Sequence, residues 1–320
     1  MLRPLILAAT AAVLHAPVGA QSQPVSLFDG ADLLGQEPSP LFASHEPLNL
    51  RLVADFDEIT DDRSQDSEEG DGTAIVTTPD GSSFTVPVQI RTRGNFRLQS
   101  WVCPFPPLRL DFPKEEVGGS VLSGQDKLKM VTHCRDRDRY EQNILKEFLV
   151  YRFFNQLTDR SFQVRLARVT YVDTGSRGQP VTRWGFLIED DDQMAARLGG
   201  EILEVEELHP ARILGVNAAT VTIFQFMVGN TDFSLYRDHN MKLVQTADDG
   251  VIAVPYDFDW TGLVDSPYAI PDPTVGSRSV RQRIFRGLCR PGVDYAEHYR
   301  RFREVREAIE ALVVSQPGLT

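Results

Sequence analysis

The chain is short of the residues that mark the commoner metal and phosphate sites. Its six histidines form no H-E-x-x-H pair or other spaced ligand set, which weighs against a histidine-built metal hydrolase. No G-x-G-x-x-G is present, so no phosphate-covering loop is given by that motif. Basic charge is also in deficit: 33 Lys and Arg against 45 Asp and Glu leave a net charge of −12. That balance argues against a nucleic-acid partner or an anionic membrane surface. Residues 5–14 are the one sustained apolar run, too short to span a bilayer. Internal repeats and low-complexity blocks are absent. Nine acids crowd residues 55–71 around the single Arg63, but without the acceptor spacing and terminal glutamate of an EF-hand. A solvated, mobile loop is expected there.

What is present begins with a signal-peptide pattern. Arg3 is the basic region, residues 5–14 the apolar core, and Val18-Gly19-Ala20 a small-residue cleavage site. The mature chain is expected to start at Gln21 and to be secreted or periplasmic, with no membrane span. Export permits a disulfide among Cys103, Cys134 and Cys289; three pairings are open, of which Cys103–Cys134 is favoured, with Cys289 free. The 320 residues hold one large domain or two ordinary ones, and 42% apolar and 24% charged residues are those of a globular protein.

Residues 21–47 read as a leader. Leu48, Leu50 and Leu52 alternate as a strand, and residues 73–77 and 84–92 form a hairpin about Pro79-Asp80-Gly81. The second strand runs into Arg91-Thr92-Arg93-Gly94-Asn95-Phe96-Arg97, a turn suited to close approach of an anion. Leu108, Leu110 and Phe112 mark a strand, and so do residues 126–131, with Lys127 and Lys129 on one side. Residues 140–157 carry a clear helical stripe, Leu145, Phe148, Leu149 and Phe153, with Glu147 beside it. Strands follow at 165–172 and 181–188, the second running into Glu189. A helix then ends at Gly229, and a charged amphipathic helix covers 294–313. Strands come first and helices last, so the expected fold is α+β and two-lobed.

Residues 229–260 hold the densest polar chemistry. Two short apolar strands, 241–244 and 251–254, flank Asp249-Gly250, a favoured two-residue hairpin turn. Antiparallel pairing brings Asn240 beside Asp257, with Asp232 arriving from the preceding loop. Such oxygen donors suit a hard cation such as magnesium. Asp232, behind a helix, suits a base; Asn240 and Asp257 suit ligands; Asp259 is either a second ligand or turned away.

These segments resemble the spore-coat protein H-like (CotH-like) atypical kinases. The residues that carry the resemblance are Arg93-Gly94-Asn95 (with Phe96 where the family has Ser), KEFLVYRFF from Lys146, GFLIE ending at Glu189, the Gly-Asn-x-Asp ending at Asp232, and the run from Asn240 to Asp257-Phe258-Asp259. The resemblance implies an atypical protein-kinase-like fold. A β-rich nucleotide-binding lobe would cover 48–188 and a mainly helical catalytic lobe 189–320. It also implies ATP and Mg²⁺ (or Mn²⁺) as cofactors and a protein hydroxyl as acceptor. Asp232 would be the base; Asn240 and Asp257, with Asp259, would hold the metal. Lys129, or Lys127 in a slipped register, would contact phosphates and pair with Glu147. Glu189 would lie at the adenine, and Arg93, Gly94 and Asn95 would close over the phosphates. Eight residues separate Asp232 from Asn240, a longer interval than in ordinary kinases, which leaves Asp238 or His239 able to share the metal. The competing readings are a non-catalytic, pseudokinase-like envelope binding module and a metal-dependent phosphoesterase.

Overall fold

The computed structural model describes residues 39–320 except 177, 238, 248 and 249. Seven strands come first: β1 (Leu48–Ala54), β2 (Gly70–Thr77), β3 (Ser83–Thr92), β4 (Leu108–Asp111), β5 (Lys127–Val131), β6 (Val164–Asp173) and β7 (Val181–Ile188), with apolar residues alternating in β1, β3 and β4. They close into a barrel in the order β1-β2-β3-β4-β5-β7-β6. Parallel pairing of β1 with β6, Leu50 opposite Val169, seals it. One face of every strand points inward, so Leu48, Leu50, Leu52, Val88, Ile90, Leu108, Leu110, Leu128 and Met130 fill the lumen. Closure gives each barrel strand a neighbour on both sides along part of its length.

Between β2 and β1 the acidic stretch is not a loose loop throughout. Asp55 caps a short helix, α1 (Phe56–Asp61), whose Phe56 and Ile59 are buried. The expected leader also reaches the core: Leu41 and Phe42 are buried, and Arg165 donates to the Leu41 carbonyl at 3.2 Å. Residues 1–20, with the expected signal peptide, lie outside the described residues.

Helix α2 (Asp138–Leu157) packs on the outside of the barrel and is buried on most sides. Its second contact is with the remainder of the chain. There, α3 (Asp191–Arg197) and α4 (Gly215–Val228) pack on a three-stranded sheet, β8 (Gly200–Ile202), β9 (Met241–Thr246) and β10 (Gly250–Pro255), ordered β10-β9-β8, while α5 (Tyr295–Glu304) packs on α4 and α6 (Arg306–Ser315) on α2. Asn217 of α4 bonds both backbone groups of Ala253, which satisfies the outer side of β10. Gly229 ends α4 at φ 72°, a left-handed conformation that favours glycine.

The expectation of a kinase-like fold with a mainly helical second lobe is overturned. The β-rich part is a closed seven-stranded barrel, and in residues 189–320 helices are the minority. The physical reason lies partly in residues 266–292, where Pro267, Pro271, Pro273 and Pro291 with Gly276, Gly287 and Gly292 permit one 3-10 turn, at 273–275, and no α-helix. The single helix expected over 294–313 breaks at Val305 into α5 and α6. The expected β-hairpin is present, Met241 opposite Pro255; its Asp249 turn residue lies outside the described residues.

Candidate functional site

A cavity of about 360 Å³ opens between the rim of the barrel and the base of the β9–β10 hairpin. Its barrel wall is the turn after β3, with Arg93, Gly94, Asn95 and Arg97; its other wall carries Asp232, His239, Asn240, Tyr256, Asp257 and Asp259. A water-sized chamber, lined by Lys129, Glu147, Tyr151, Phe162 and Ile188, adjoins it through Arg93, Arg97, Tyr256 and Asp257. Of the residues expected at a site, those of the Arg-Gly-Asn turn, the hairpin base, Lys129 and Glu147 come together. Lys127 is exposed and lines neither space.

The hairpin explains the convergence. Antiparallel pairing continues past Pro255, where the Tyr256 N–H donates to the Asn240 carbonyl at 3.2 Å. Asn240 and Asp257 then both adopt left-handed backbones, φ 53° and 58°. For non-glycine residues this conformation is uncommon, and it costs on the order of 1 kcal/mol or more each. The Asp257 N–H donates to the Tyr151 hydroxyl of α2 at 2.8 Å, which ties the hairpin to the barrel's helix.

Asp232 is held at both oxygens. His239 Nε2 donates to Oδ1 at 2.7 Å and Asn240 Nδ2 to Oδ2 at 2.9 Å, while Asn230 accepts from the Asp232 N–H at 2.8 Å. The bond to Asp232 raises the His239 pKa above 6.5, against the opposing effect of partial burial. Because Asn240 donates through its nitrogen, its amide oxygen is the atom left to meet a ligand.

Arg97 was not among the residues expected to act, and it organises one wall. It sits on the 3-10 turn Phe96–Leu98. Its guanidinium reaches Asp257 at 2.9 Å, Glu147 at 3.3 Å and Asp259 at 3.4 Å, with its side chain only 8% exposed. Burial opposes its charge, but Asp259, Glu147, Tyr268 and Asp257 outweigh that and raise its pKa. Three acids on one arginine leave negative charge in excess. Burial pushes the Glu147 carboxyl up to about 7, with Arg97 opposing and Asp257 adding to the rise. Burial also raises Asp259, again against Arg97. Asp259 accepts from the Tyr268 hydroxyl at 2.9 Å, so its carboxylate is engaged in this cluster at the cavity wall. The sequence signal for Arg97 was only an arginine-rich turn, and strand alternation cannot say which arginine of an irregular turn points inward.

One expected pairing is replaced. Glu147 meets Arg97 and not Lys129; Lys129 instead contacts Asp191, the first residue of α3. Glu189 is gripped by Arg197, 2.8 Å at each oxygen, and accepts from the Gln163 N–H at 2.9 Å, so its carboxylate is committed to the fold. Arg93 is the counterpart of the acid-rich wall. Burial lowers its pKa, and among the described residues no carboxylate lies within ion-pairing distance of its guanidinium. A desolvated, unpaired guanidinium facing a cavity is a site for an anion.

No three His, Cys, Asp or Glu side chains among the described residues are grouped closely enough to hold a metal unaided. What remains is a smaller donor set, Asp257, 39% exposed with one oxygen on Arg97, and the Asn240 amide oxygen. Magnesium fits such a set, because it keeps waters and takes substrate phosphates alongside one or two protein oxygens. Asp238, the other residue considered for the metal, lies outside the described residues. The favoured disulfide Cys103–Cys134 is present, with Cys289 exposed and free. No helix among the described residues is long and apolar enough to cross a membrane.

Fold and site together define a closed β-barrel joined to a small sheet, with a mixed-charge cleft at their junction. The chain matches no protein-family model and no curated protein.

Proposed function

We propose that this chain is a magnesium-dependent phosphotransferase that moves the terminal phosphoryl group of ATP to a protein hydroxyl. It would use the site chemistry of the CotH-like kinases without their mainly helical lobe. The observation that carries the reading is the convergence of Asp232, Asn240 and Asp257 with Arg93 around one cavity, from segments more than a hundred residues apart in the chain. The division of charge supports it as well. The barrel wall of the cavity offers Arg93, and the opposite wall offers Asp232, Asp257 and Asp259. Polyphosphate carrying a divalent cation complements both.

In this reading Arg93 and Lys129 hold the phosphates by charge-assisted hydrogen bonds. Asp232, fixed by His239 and Asn240, accepts the proton of the acceptor hydroxyl. The hydroxyl oxygen bonds to the terminal phosphorus as the bond from that phosphorus to the bridging oxygen breaks, and ADP leaves with the bonding pair. Asp257 and Asn240 would hold magnesium, which would supply charge neutralisation at the phosphates. Arg97 keeps Asp257 oriented and keeps the buried Glu147 and Asp259 from repelling it. Tyr151 fixes the Asp257 backbone.

A second reading, a nucleotide-binding envelope module without catalysis, is favoured by one feature: Glu147 is engaged by Arg97, and Lys129 by Asp191. Export, with cleavage near Ala20, belongs to either reading and agrees with the Cys103–Cys134 disulfide.

The test is incubation of the chain from Gln21 with ATP labelled at the γ position and Mg²⁺, with casein or itself as acceptor. Transfer by wild type and its loss, by about a hundredfold or more, in Asp232→Ala and Asp257→Ala is expected. Equal labelling by all three proteins refutes the phosphotransferase. Label from the α and not the γ position makes it an adenylyl transferase, and binding without transfer selects the module.

A further inference from the structure

We propose that residues 277–290 form a basic docking strip beside the site, and that it takes a polypeptide with aspartate and glutamate close to the reacting hydroxyl. The proposal names the acceptor class of the phosphotransfer reading and rests on that reading for the transfer step; docking itself is a matter of binding.

In a chain of net charge −12, this stretch holds five arginines, Arg278, Arg281, Arg283, Arg286 and Arg290, and no acid. It forms no α-helix or strand. Arg281 pairs with Asp265 at 2.6 Å, and Arg286 lies 3.8 Å from Asp272. Arg278, Arg283 and Arg290 form no ion pair with a carboxylate among the described residues, and Arg278 and Arg283 are exposed. Phe285 and Leu288 stand among them, 44% and 52% exposed.

The strip is anchored next to the site. It crosses Gly262, where a Cβ would meet the Val280 carbonyl at 2.5 Å and the Arg281 Cα at 2.8 Å, an approach that glycine admits. Arg283 Nε donates to the Met227 carbonyl at 2.9 Å near the end of α4, and the Phe285 ring meets Phe226 edge-on, centroids 6.1 Å apart. Arg286 donates to the Thr231 carbonyl and lies over the Phe233 ring, 5.5 Å from its centroid. Thr231 and Phe233 flank Asp232, and Trp260, two residues before Gly262, lines the same cavity as Asp232. The charge of Arg286 also reaches His239 in that cavity, where it opposes protonation of the ring.

Charge selects the occupant. A chain with this net charge repels a polyanion over much of its surface, so a run of arginines without acids marks where one can approach. Guanidinium groups take carboxylates through paired N–H donors, and clusters of them recognise acidic segments. Arg283 spends Nε on the Met227 carbonyl and keeps its terminal donors for a ligand. A membrane surface fits less well: the strip has no helix with which to lay an apolar face on lipid. Its attachment to both sides of Asp232 favours the molecule whose hydroxyl Asp232 would serve.

The experiment follows, by fluorescence anisotropy in low salt, the binding of two labelled peptides to the chain from Gln21. One peptide carries a single serine among glutamates, the other a single serine among lysines. The proteins are wild type, the double variant Arg278→Gln with Arg283→Gln, and the double variant Arg278→Lys with Arg283→Lys. The glutamate peptide is expected to bind wild type, and to bind the glutamine variant roughly three- to tenfold more weakly. The lysine variant should retain most of the affinity, which separates lost charge from lost packing. Melting curves without peptide check that each variant is folded. Absence of binding by the glutamate peptide, equal or tighter binding of the lysine peptide, or unchanged affinity in the folded glutamine variant overturns the inference. Binding to phosphatidylglycerol vesicles that the glutamine variant loses, without binding of the glutamate peptide, makes the strip a membrane surface and overturns it too. If the affinities shift as expected but neither peptide takes up γ-label from ATP, the docking strip stands and the phosphotransferase falls. If both peptides take up label equally in all three proteins and the affinities do not shift, the reverse holds.

Discussion

Replacing Arg97 with methionine tests the electrostatic account of the site. The guanidinium is the shared counter-ion of Glu147, Asp257 and Asp259, and the side chains of Glu147 and Asp259 are 1% and 7% exposed. Removing one partner of a buried pair leaves an uncompensated charge and costs about 3–5 kcal/mol. In a chain of this size that corresponds to a fall in Tm of roughly 4–9 °C. The loss should depend on pH. Burial holds the Glu147 carboxyl near 7, above its ordinary 4.5, so the folded state takes up a proton that the unfolded state releases. Stability from this group therefore declines as pH rises from 4.5 towards 7, and losing Arg97 extends that decline upward. Thermal unfolding of wild type and Arg97→Met at pH 5 and pH 8 measures it, with the larger deficit expected at pH 8. Adding Glu147→Gln and Asp259→Asn to Arg97→Met should recover most of the deficit. A variant that melts with wild type at pH 8, or whose deficit is the same at both pH values, refutes the reasoning.

Other outcomes follow from neighbouring contacts. The His239 imidazole, bonded to Asp232, has its pKa raised above 6.5; the stability it contributes is present below 6.5 and is lost as pH rises through the raised value. Its proton NMR titration should fall back towards 6.5 in Asp232→Asn, and an unmoved midpoint would break the link. The Cys103–Cys134 bridge closes a loop of sequence separation 31 that begins just beyond the turn bearing Arg97. Its reduction should cost about 2–5 kcal/mol, read as a lower midpoint in a denaturant titration with and without reductant. Coincident curves would show that the bridge carries no stability.

Much of the local structure was legible because it is local. Period-2 alternation in β1 and β3, the helical stripe of α2, and Gly229 beyond the end of α4 are short-range consequences of side-chain chemistry, and the structure places elements at each. The hairpin could be read for the same reason, and with it the meeting of Asn240 and Asp257. Pairing of β1 with β6 was not legible, since barrel closure joins residues over a hundred positions apart and leaves no periodic trace. Nor was the shortage of helix in the second part, where proline and glycine across 266–292 outweigh the general expectation of a helical lobe.

At the site the division is the same. The sequence by itself determined which residue types are available: a carboxylate behind a helix, an asparagine and an aspartate bracketing a hairpin, and arginines in a glycine turn. Only the tertiary structure decided who pairs with whom. Arg97 takes Glu147, Asp257 and Asp259, Lys129 takes Asp191, Arg197 takes Glu189, and Arg93 faces the cavity with no carboxylate within ion-pairing distance among the described residues. Ion pairs form by distance and burial in the folded state, and long side chains from irregular turns reach partners that no spacing in the chain encodes.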